Sequence, residues 1–448
     1  MDTHPPIVMY SDQIREIIDE KGIEIGDTVK VNGREGRLMP KPENGDPESI
    51  VLKLESGYNI GLEPENVELV EKNETKGEKK MDQDVVVHDS TKPDILILHT
   101  GGTIASRVSY DEGGVKPAFE PDDLAEMYPE LEEEVNIHSE VVAQMLSEDM
   151  EPGHWQDIAE MIDEKKDEYD GIIVGHGTDT MQYTGAALTL MLQNIDTGVL
   201  LVGSQRSSDR PSSDASMNLY SAAKFLIDTE FEGIGACMHS TVKDRECDIM
   251  PAAKIRKMHT SRRDAFETVN AERMGKVDYQ GKEAELERNL DTDGDYETFF
   301  ELDEKVGFIK TRPGMTVEEI EDLKQRDYNG VIIEGTGLGH MPVNSFDEKT
   351  KHHEDILETV SEIAEDAVTV MSSQCVNGRV NMNVYDAGLK TQDAGVIQGK
   401  DMHPELAYVK LMWSLGNSES IEEAKELFRE NIAGEIQKRT IYDERTET

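Results

Sequence analysis

Four continuous apolar runs, 94-DILILHT-100, 171-GIIVGH-176, 198-GVLLVGS-204 and 233-GIGACMHS-240, alternate with stretches of helical periodicity. Those stretches are 153-GHWQDIAEMIDEKKDEY-169, 182-QYTGAALTLMLQ-193 and 213-SDASMNLYSAAKFLID-228. A strand that is wet on one face alternates apolar and polar residues, whereas a run that does not alternate has both faces covered. Parallel strands need a crossover long enough to hold a helix, and this spacing supplies one each time. The pattern therefore predicts a parallel α/β sheet with helices on both faces. Past a charged stretch, 291-DTDGDYETFFELDEK-305, it resumes in 306-VGFIKT-311, 330-GVIIEGTG-337 and 367-AVTVMSSQ-374. Helical 315-MTVEEIEDLKQR-326 and 353-HEDILETVSEIAED-366 lie between these runs, so a second, smaller α/β domain is expected.

Residues ahead of the first run read differently. A helix, 10-YSDQIREIIDEKG-22, precedes the short β-type pieces TVKV, GRLMP, SIVLKL and YNIGL, broken by NG, ENGD and SG turns. Such brief pieces between turn residues predict a small SH3-like β-barrel. Polar 71-EKNETKGEKKMDQD-84 reads as a linker. The expected organisation is a helix plus β-barrel module over 1–75, a linker over 76–92, a large α/β domain over 93–290 and a smaller one over 291–448.

Charge says more about the medium than about the reaction. Asp and Glu number 94 against 46 Lys and Arg, a net charge of −48. The acid is spread along predicted helices, as in 121-PDDLAEMYPELEEEV-135, rather than gathered in a tail. Self-repulsion of this size destabilises a compact state in dilute buffer. It is largely removed in concentrated salt, where the Debye length is about 3 Å. A halophilic cytoplasm is the expected setting. Cys237, Cys247 and Cys375 form no CxxC pair, which fits a reducing compartment. The opening residues MDTHPPIVMYSDQ carry neither a basic flank nor an apolar stretch, so no secretory signal is expected. No run approaches the roughly 20 apolar residues of a membrane helix, and no membrane association is expected.

Ligands in open parallel sheets bind at the carboxyl ends of the strands. Three predicted strands end in loops of one kind. The first, 98-LHTGGTIAS-106, sets Thr100 and Thr103 around two glycines, and the second, 174-VGHGTDTMQYTG-185, sets Thr178, Asp179 and Thr180 behind His176 and Gly177. The third, 202-VGSQRSSDRPSSDASMNLY-220, opens a helix with small and hydroxyl residues. Glycine lets the backbone approach a ligand and present N–H groups to a developing oxyanion. A hydroxyl beside an acid supplies a nucleophile and part of the means to activate it. Threonine is a poor nucleophile until a neighbour takes its proton, and a Lys–Asp–Thr chain through Asp179 would do so. Any one such loop is a turn or cap former; two Thr-rich glycine loops on parallel strands of one sheet point to a functional site.

TGGTIAS at 100–106 and HGTDTM at 176–181 closely resemble the two signature motifs of the L-asparaginase/glutaminase family, in order and in spacing. The similarity continues in 147-SEDM-150, in 202–220 and in 254-KIRKMHTSRRDAF-266, and spans roughly 93–416. It implies an asparaginase-like two-domain parallel-sheet α/β enzyme that hydrolyses a side-chain amide. The family nucleophile is the second threonine of TGGTIA, here Thr103, and the threonine and aspartate of HGTD are Thr178 and Asp179. The family lysine, nine residues before the phenylalanine of DAF, falls on Lys257, with Lys254 as the neighbouring candidate. Ser147 and Glu148 would hold the substrate α-carboxylate and α-amino group. Glu148 stands where bacterial asparaginases have glutamine, which leaves the choice between Gln and Asn open. Gly102 and Gly177 would line the substrate. Tyr110, in 107-RVSYDEGGVKP-117, would partner Thr103, although its offset differs from the bacterial enzymes; the glycines of 112-EGG-114 suit a hinged lid.

The extra N-terminal module and the wording RKMHTSRRDAF resemble the asparaginase-like D subunits of archaeal glutamyl-tRNA(Gln) amidotransferases. That resemblance implies that Thr103 attacks the side-chain amide of glutamine, the amide donor. A partner, the amidotransferase E subunit, would take the ammonia and activate Glu-tRNA(Gln) with ATP, giving Gln-tRNA(Gln). No cofactor is expected in this chain, ATP with Mg being used by the complex. The tRNA would engage mainly the partner, because phosphate contacts need Lys/Arg clusters. A homodimer within a two-D, two-E heterotetramer is implied, with the second α/β domain, including 380-VNMNVYDAG-388, at the D–D contact. A free cytoplasmic L-asparaginase is the alternative.

Other features read as structure. The glycines of 334-EGTGLGH-340 run GxGxG rather than GxGxxG and mark a turn. His259 and His340 lack partners at metal-ligand spacing, so no metal is expected. Met181, Met191 and Met217 fall on helical core faces.

Overall fold

The computed structural model describes residues 10–23, 26–38, 49–53, 59–72, 89–101, 106–109, 114–117, 129–206, 213–290 and 294–440. In the N-terminal module, helix α1 (Asp12–Glu20) is followed by strands β1 (Thr28–Val31), β2 (Arg34–Leu38), β3 (Ile50–Lys53), β4 (Asn59–Leu62) and β5 (Val67–Glu71). They form one antiparallel sheet in the order β4-β3-β2-β1-β5. Asn32 and Gly33 both have positive φ, the geometry of the tight Asn-Gly hairpin turn joining β1 to β2. Ile14, Ile18, Val29, Val31, Leu38, Ile50, Leu52 and Val67 make its core. Strand β5 is an addition to the four expected pieces. Only Val67 of its five residues is buried, while Leu69 and Val70 stay exposed and Glu68 and Glu71 interrupt the apolar run.

The next elements are β6 (Asp94–Gly101), β7 (Ser106–Ser109), β8 (Gly114–Pro117), α2 (Pro129–Glu134), β9 (Asn136–Met145), α3 (Pro152–Lys165), β10 (Gly171–Gly175), α4 (Met181–Met191), β11 (Leu192–Gln193), β12 (Gly198–Val202), α5 (Ala215–Asp228) and β13 (Gly233–His239). Then come β14 (Glu246–Pro251), β15 (Ile255–Lys257), β16 (Phe266–Thr268), β17 (Gly275–Asp278) and β18 (Glu283–Leu286). An eight-stranded sheet runs β18-β17-β14-β13-β12-β10-β6-β9. The four predicted runs are the neighbours β6, β10, β12 and β13, all parallel. Every residue of β10 and β12 is buried, as strands covered on both faces must be. The sheet is mixed, because β14, β17 and β18 extend it antiparallel beyond β13. Met181, Met191 and Met217 lie in the core.

The second unit holds β19 (Glu297–Thr298), β20 (Val306–Lys310), α6 (Val317–Gln325), β21 (Gly330–Gly335), α7 (His353–Asp366), β22 (Val368–Ser373), α8 (Asp386–Asp393), β23 (Ile397–Gln398), α9 (Pro404–Gly416) and α10 (Ile421–Arg429). Its parallel sheet runs β20-β21-β22-β23. Strand β19 turns back to pair with β11 of the larger unit, and Phe299 N donates to Met191 O at 2.9 Å. One apolar cluster joins Leu96, Val174 and Leu201 of the large sheet to Ile332, Val370, Leu406 and Trp413 of the small unit. Among the described residues, no helix is long and apolar enough to cross a membrane.

Candidate active site

The carboxyl ends of β6, β9, β10 and β12 lie side by side. The Thr100 hydroxyl donates to Gly175 O at 3.0 Å, tying the end of β6 to that of β10. Gly101 has φ +111°, and a Cβ there would collide with the backbone of Met145 at the end of β9. Only glycine lets these two strands finish against each other.

Beyond β9 the chain makes a single 3-10 turn, Ser147–Asp149, which fits into the HGTD loop. The Asp179 N–H donates to Ser147 Oγ at 3.3 Å, and the Thr180 hydroxyl donates to Ser147 O at 2.6 Å. A Cβ on Gly177 would lie 2.6 Å from Ser147 Cβ, so the missing side chain makes room for the serine. A third close approach comes from β12, where a Cβ on Gly203 would lie 2.8 Å from Thr178 Cγ2.

His176 sits under this loop, fully buried, with Nδ1 2.6 Å from Gly177 O and Nε2 2.8 Å from the Thr184 hydroxyl. A carbonyl can only accept, so Nδ1 carries the proton and Nε2 accepts from Thr184. Burial pushes the His176 pKa down to about 4 despite its bond to Gly177, so the ring is a neutral brace. After β12, the Asp214 carboxylate accepts from Ser204 Oγ at 3.0 Å and from the backbone N–H groups of Gln205 at 2.9 Å and Arg206 at 3.0 Å. The bracing by Thr180, Thr184 and Asp214 is what sequence reasoning missed. Their hydroxyl and acid types, crowded beside the recognised motifs, were the available signal.

The lysine comes from a separate hairpin. Strand β15 pairs antiparallel with β16, and Lys257 ends it. Lys257 Nζ donates to Thr178 Oγ1 at 2.8 Å and to Asp179 Oδ1 at 2.7 Å. Its side chain is 11% exposed and that of Asp179 is 65% exposed, so the group lies at the edge of solvent. Because the Thr178 oxygen accepts from Lys257, its own proton is left to donate elsewhere. Lys254 is turned away and buried, with Nζ 2.8 Å from Asp401 Oδ2. Glu148 is exposed on the turn beside Ser147.

Of the sequence-predicted site residues, the structure thus brings together Ser147, Gly177, Thr178, Asp179 and Lys257, with Glu148 adjacent. Gly102, Thr103 and Tyr110 lie outside the described residues. The strands nearest to them in the chain, β7 and β8, form an antiparallel hairpin with Ser106 opposite Pro117 and Ser109 opposite Gly114. An ammonium shared between a hydroxyl and a carboxylate orients that hydroxyl, which can then relay a proton to or from a reacting group at the carboxyl end of the sheet. Among the described residues, no cluster of three or more His, Cys, Asp or Glu is arranged to hold a metal.

Comparison with known proteins places this geometry among relatives. Residues 94–291 match the family described as "Asparaginase, N-terminal", residues 305–428 the "Glutaminase/Asparaginase C-terminal domain" and residues 23–72 the "GatD N-terminal domain". The chain is 42% identical over 449 residues to the glutamyl-tRNA(Gln) amidotransferase D subunit of Methanopyrus kandleri, covering 96% of this chain and 95% of that one. It is 42% identical over 439 residues to the protein of the same name from Pyrococcus furiosus, covering 95% and 97%. Among solved structures it is similar to the thermostable L-asparaginase from Thermococcus kodakarensis, with 32% identity, a TM-score of 0.70 and coverage of 77% of this chain and 100% of that one. L-asparaginase I from Vibrio cholerae is similar at 28% identity and a TM-score of 0.65, over 77% and 99%.

Proposed function

This chain belongs to the family of glutamyl-tRNA(Gln) amidotransferase D subunits, whose α/β portion is of the asparaginase type, and we propose that it releases ammonia from the side chain of glutamine for a partner subunit. The observation that carries the reading is the Lys257–Thr178–Asp179 cluster set against the Ser147 turn at the carboxyl end of the large sheet. In the proposed reaction, Thr103 Oγ adds to the amide carbon and the C–N bond breaks as the nitrogen takes up a proton. Ammonia leaves, and water then hydrolyses the threonine ester to glutamate. Thr178, oriented by Lys257 and Asp179, moves the proton to or from the reacting groups. Ser147 and Glu148 hold the α-carboxylate and α-ammonium of glutamine, the acid suiting a cation. Gly102 and Gly177 keep the backbone close to the substrate, and Tyr110 partners Thr103.

The partner is read as the amidotransferase E subunit, which uses ATP with Mg to activate Glu-tRNA(Gln) and receives the ammonia. Two D and two E subunits would assemble, with a D–D contact through the second α/β domain, including 380–388. The charge of −48 supports a saline cytoplasm as the working medium. A free asparaginase fits less well: the Thermococcus kodakarensis enzyme is matched along its whole length yet leaves about a quarter of this chain unmatched, while the N-terminal module has a family match of its own.

The test is ammonia release from glutamine in multimolar KCl, by the chain alone and then with its partner, ATP and Glu-tRNA(Gln). Strong release only in the full mixture is expected. Faster release by the chain alone, with asparagine preferred, overturns the reading in favour of an asparaginase.

A further inference from the structure

Two ion pairs fasten the strand that carries Lys257 to the small domain. Lys254, just ahead of β15, is 1% exposed; it donates to Asp401 Oδ2 at 2.8 Å and to Asp401 O at 3.2 Å. Asp401 is itself 3% exposed, and its carboxylate also accepts from Arg379 Nη2 at 3.3 Å and from Gln437 N at 3.2 Å. Two residues further on, Arg256 Nη2 lies 2.9 Å from Glu405 Oε1, and His403 Nδ1 lies 3.0 Å from the other oxygen of that carboxylate. Burial pushes the Glu405 carboxyl up, but His403 and Arg256 outweigh it and hold it at about 2. The far side of the hairpin is tied down as well: Val269 N donates to Lys254 O at 2.7 Å, and Asn270 Nδ2 donates to Asp401 O at 2.8 Å and Gly378 O at 2.9 Å.

Side chains alternate along a strand. Within β15, Arg256 therefore leaves toward Glu405 and Lys257 on the other face, toward Thr178 and Asp179, while Lys254, the last residue of the 3-10 turn before the strand, reaches Asp401. A buried ion pair adds little net stability over well-packed apolar residues, because desolvation offsets its attraction. What it supplies is one geometry, since a displaced partner would leave an unpaired charge in the interior.

We propose that Asp401 and Glu405 are positioning residues for amide hydrolysis: by holding Lys254 and Arg256 they set β15 so that Lys257 reaches Thr178 and Asp179, which makes the small domain part of the large domain's active site. This rests on the reading of Lys257 as amidase machinery.

The full chain with its partner is assayed for glutamine hydrolysis, with kcat and KM resolved separately and thermal unfolding followed in parallel. Asp401→Asn and Glu405→Gln are each expected to lower kcat roughly tenfold or more while KM stays within about twofold, as for a misplaced catalytic group. Arg256→Glu falls similarly, and the exchanged pair Arg256→Glu with Glu405→Arg recovers most of the loss. Should Asp401→Asn fail to fold, Glu405→Gln and the exchanged pair decide. Folded variants with unchanged kcat overturn the inference, as does a fall in Tm with full kcat per folded molecule. Lys257→Ala separates the two levels. If it retains full activity, the site reading itself fails; if it is inactive while the Asp401 and Glu405 variants keep full kcat, only the positioning role fails.

Discussion

The two parallel sheets of this molecule end in contrasting ways. At the carboxyl end of the large sheet, side chains from separate elements meet one another: Ser147 follows β9, Thr178 and Asp179 follow β10, and Lys257 arrives from the β15–β16 hairpin. At the same end of the small sheet, polar side chains close on nearby backbone. Gln374 Nε2 donates to Glu334 O at 3.0 Å, Ser373 Oγ to Gly337 O at 2.6 Å and Thr336 Oγ1 to His340 O at 3.2 Å. One architecture thus yields an open constellation in one place and a stitched turn in the other. The strand ends offer a location, and the partners that the local residues find decide whether chemistry can happen there.

That contrast can be broken by mutation, most directly at Lys257. Lys257→Ala should lower kcat for glutamine by roughly 10²–10⁴-fold with folding intact, the range lost with a general acid or base. Steady-state ammonia release checks it, and a change within about twofold would erase the distinction between the two sheet ends.

The neutral brace gives a pH signature. His176 is held at about 4 in the folded chain, against about 6.5 when unfolded. The unfolded state therefore binds more protons between these values, so stability is full above about pH 6.5 and declines as pH falls toward 4, by up to about 3 kcal/mol from this residue. Urea unfolding from pH 7 to pH 5 measures the slope. In His176→Gln that slope should lessen, and an identical slope would contradict the assignment.

Gly177→Ala tests the fit of the Ser147 turn into the HGTD loop. The added methyl collides with Ser147, and a displacement of that kind should lower kcat/KM about tenfold or more. Wild-type kinetics would show that the close fit is incidental. The smallest effect belongs to the stitched sheet: Ser373→Ala should lose about 2 kcal/mol, the worth of the bonds its hydroxyl makes to Gly337 O and from Cys375 N, with kcat unchanged. A fall in kcat there would give the small sheet's end a part in the reaction.

How much could be read from the chain alone follows from where each residue sits. Strands β6, β10, β12 and β13 were legible because burial on both faces leaves uninterrupted apolar runs. Strand β9 was not. It is the parallel edge of the sheet and mostly half-exposed, so NIHSEVVAQM shows no run, although its exit delivers Ser147. The antiparallel strands β17 and β18, with the sequences GKVD and EAEL, escape for the same reason. Within the site, the motif loops announced Thr178 and Asp179, and the spacing ahead of Phe266 pointed to Lys257. Distinguishing Lys257 from Lys254 needed the fold, because the carboxylate that engages Lys254 lies 147 residues away, beyond any local pattern.

The apolar cluster shared by the two α/β units has a consequence for how such a gene can be cut and recombined. The family boundary between residues 291 and 305 falls beside a connector that, at β19, is already paired with β11, over a core to which Leu96, Val174, Ile332, Val370 and Trp413 all contribute. A crossover placed there would hand each daughter half of an interior. A chimera that exchanges one of the two segments must therefore import matching side chains on both sides of the seam.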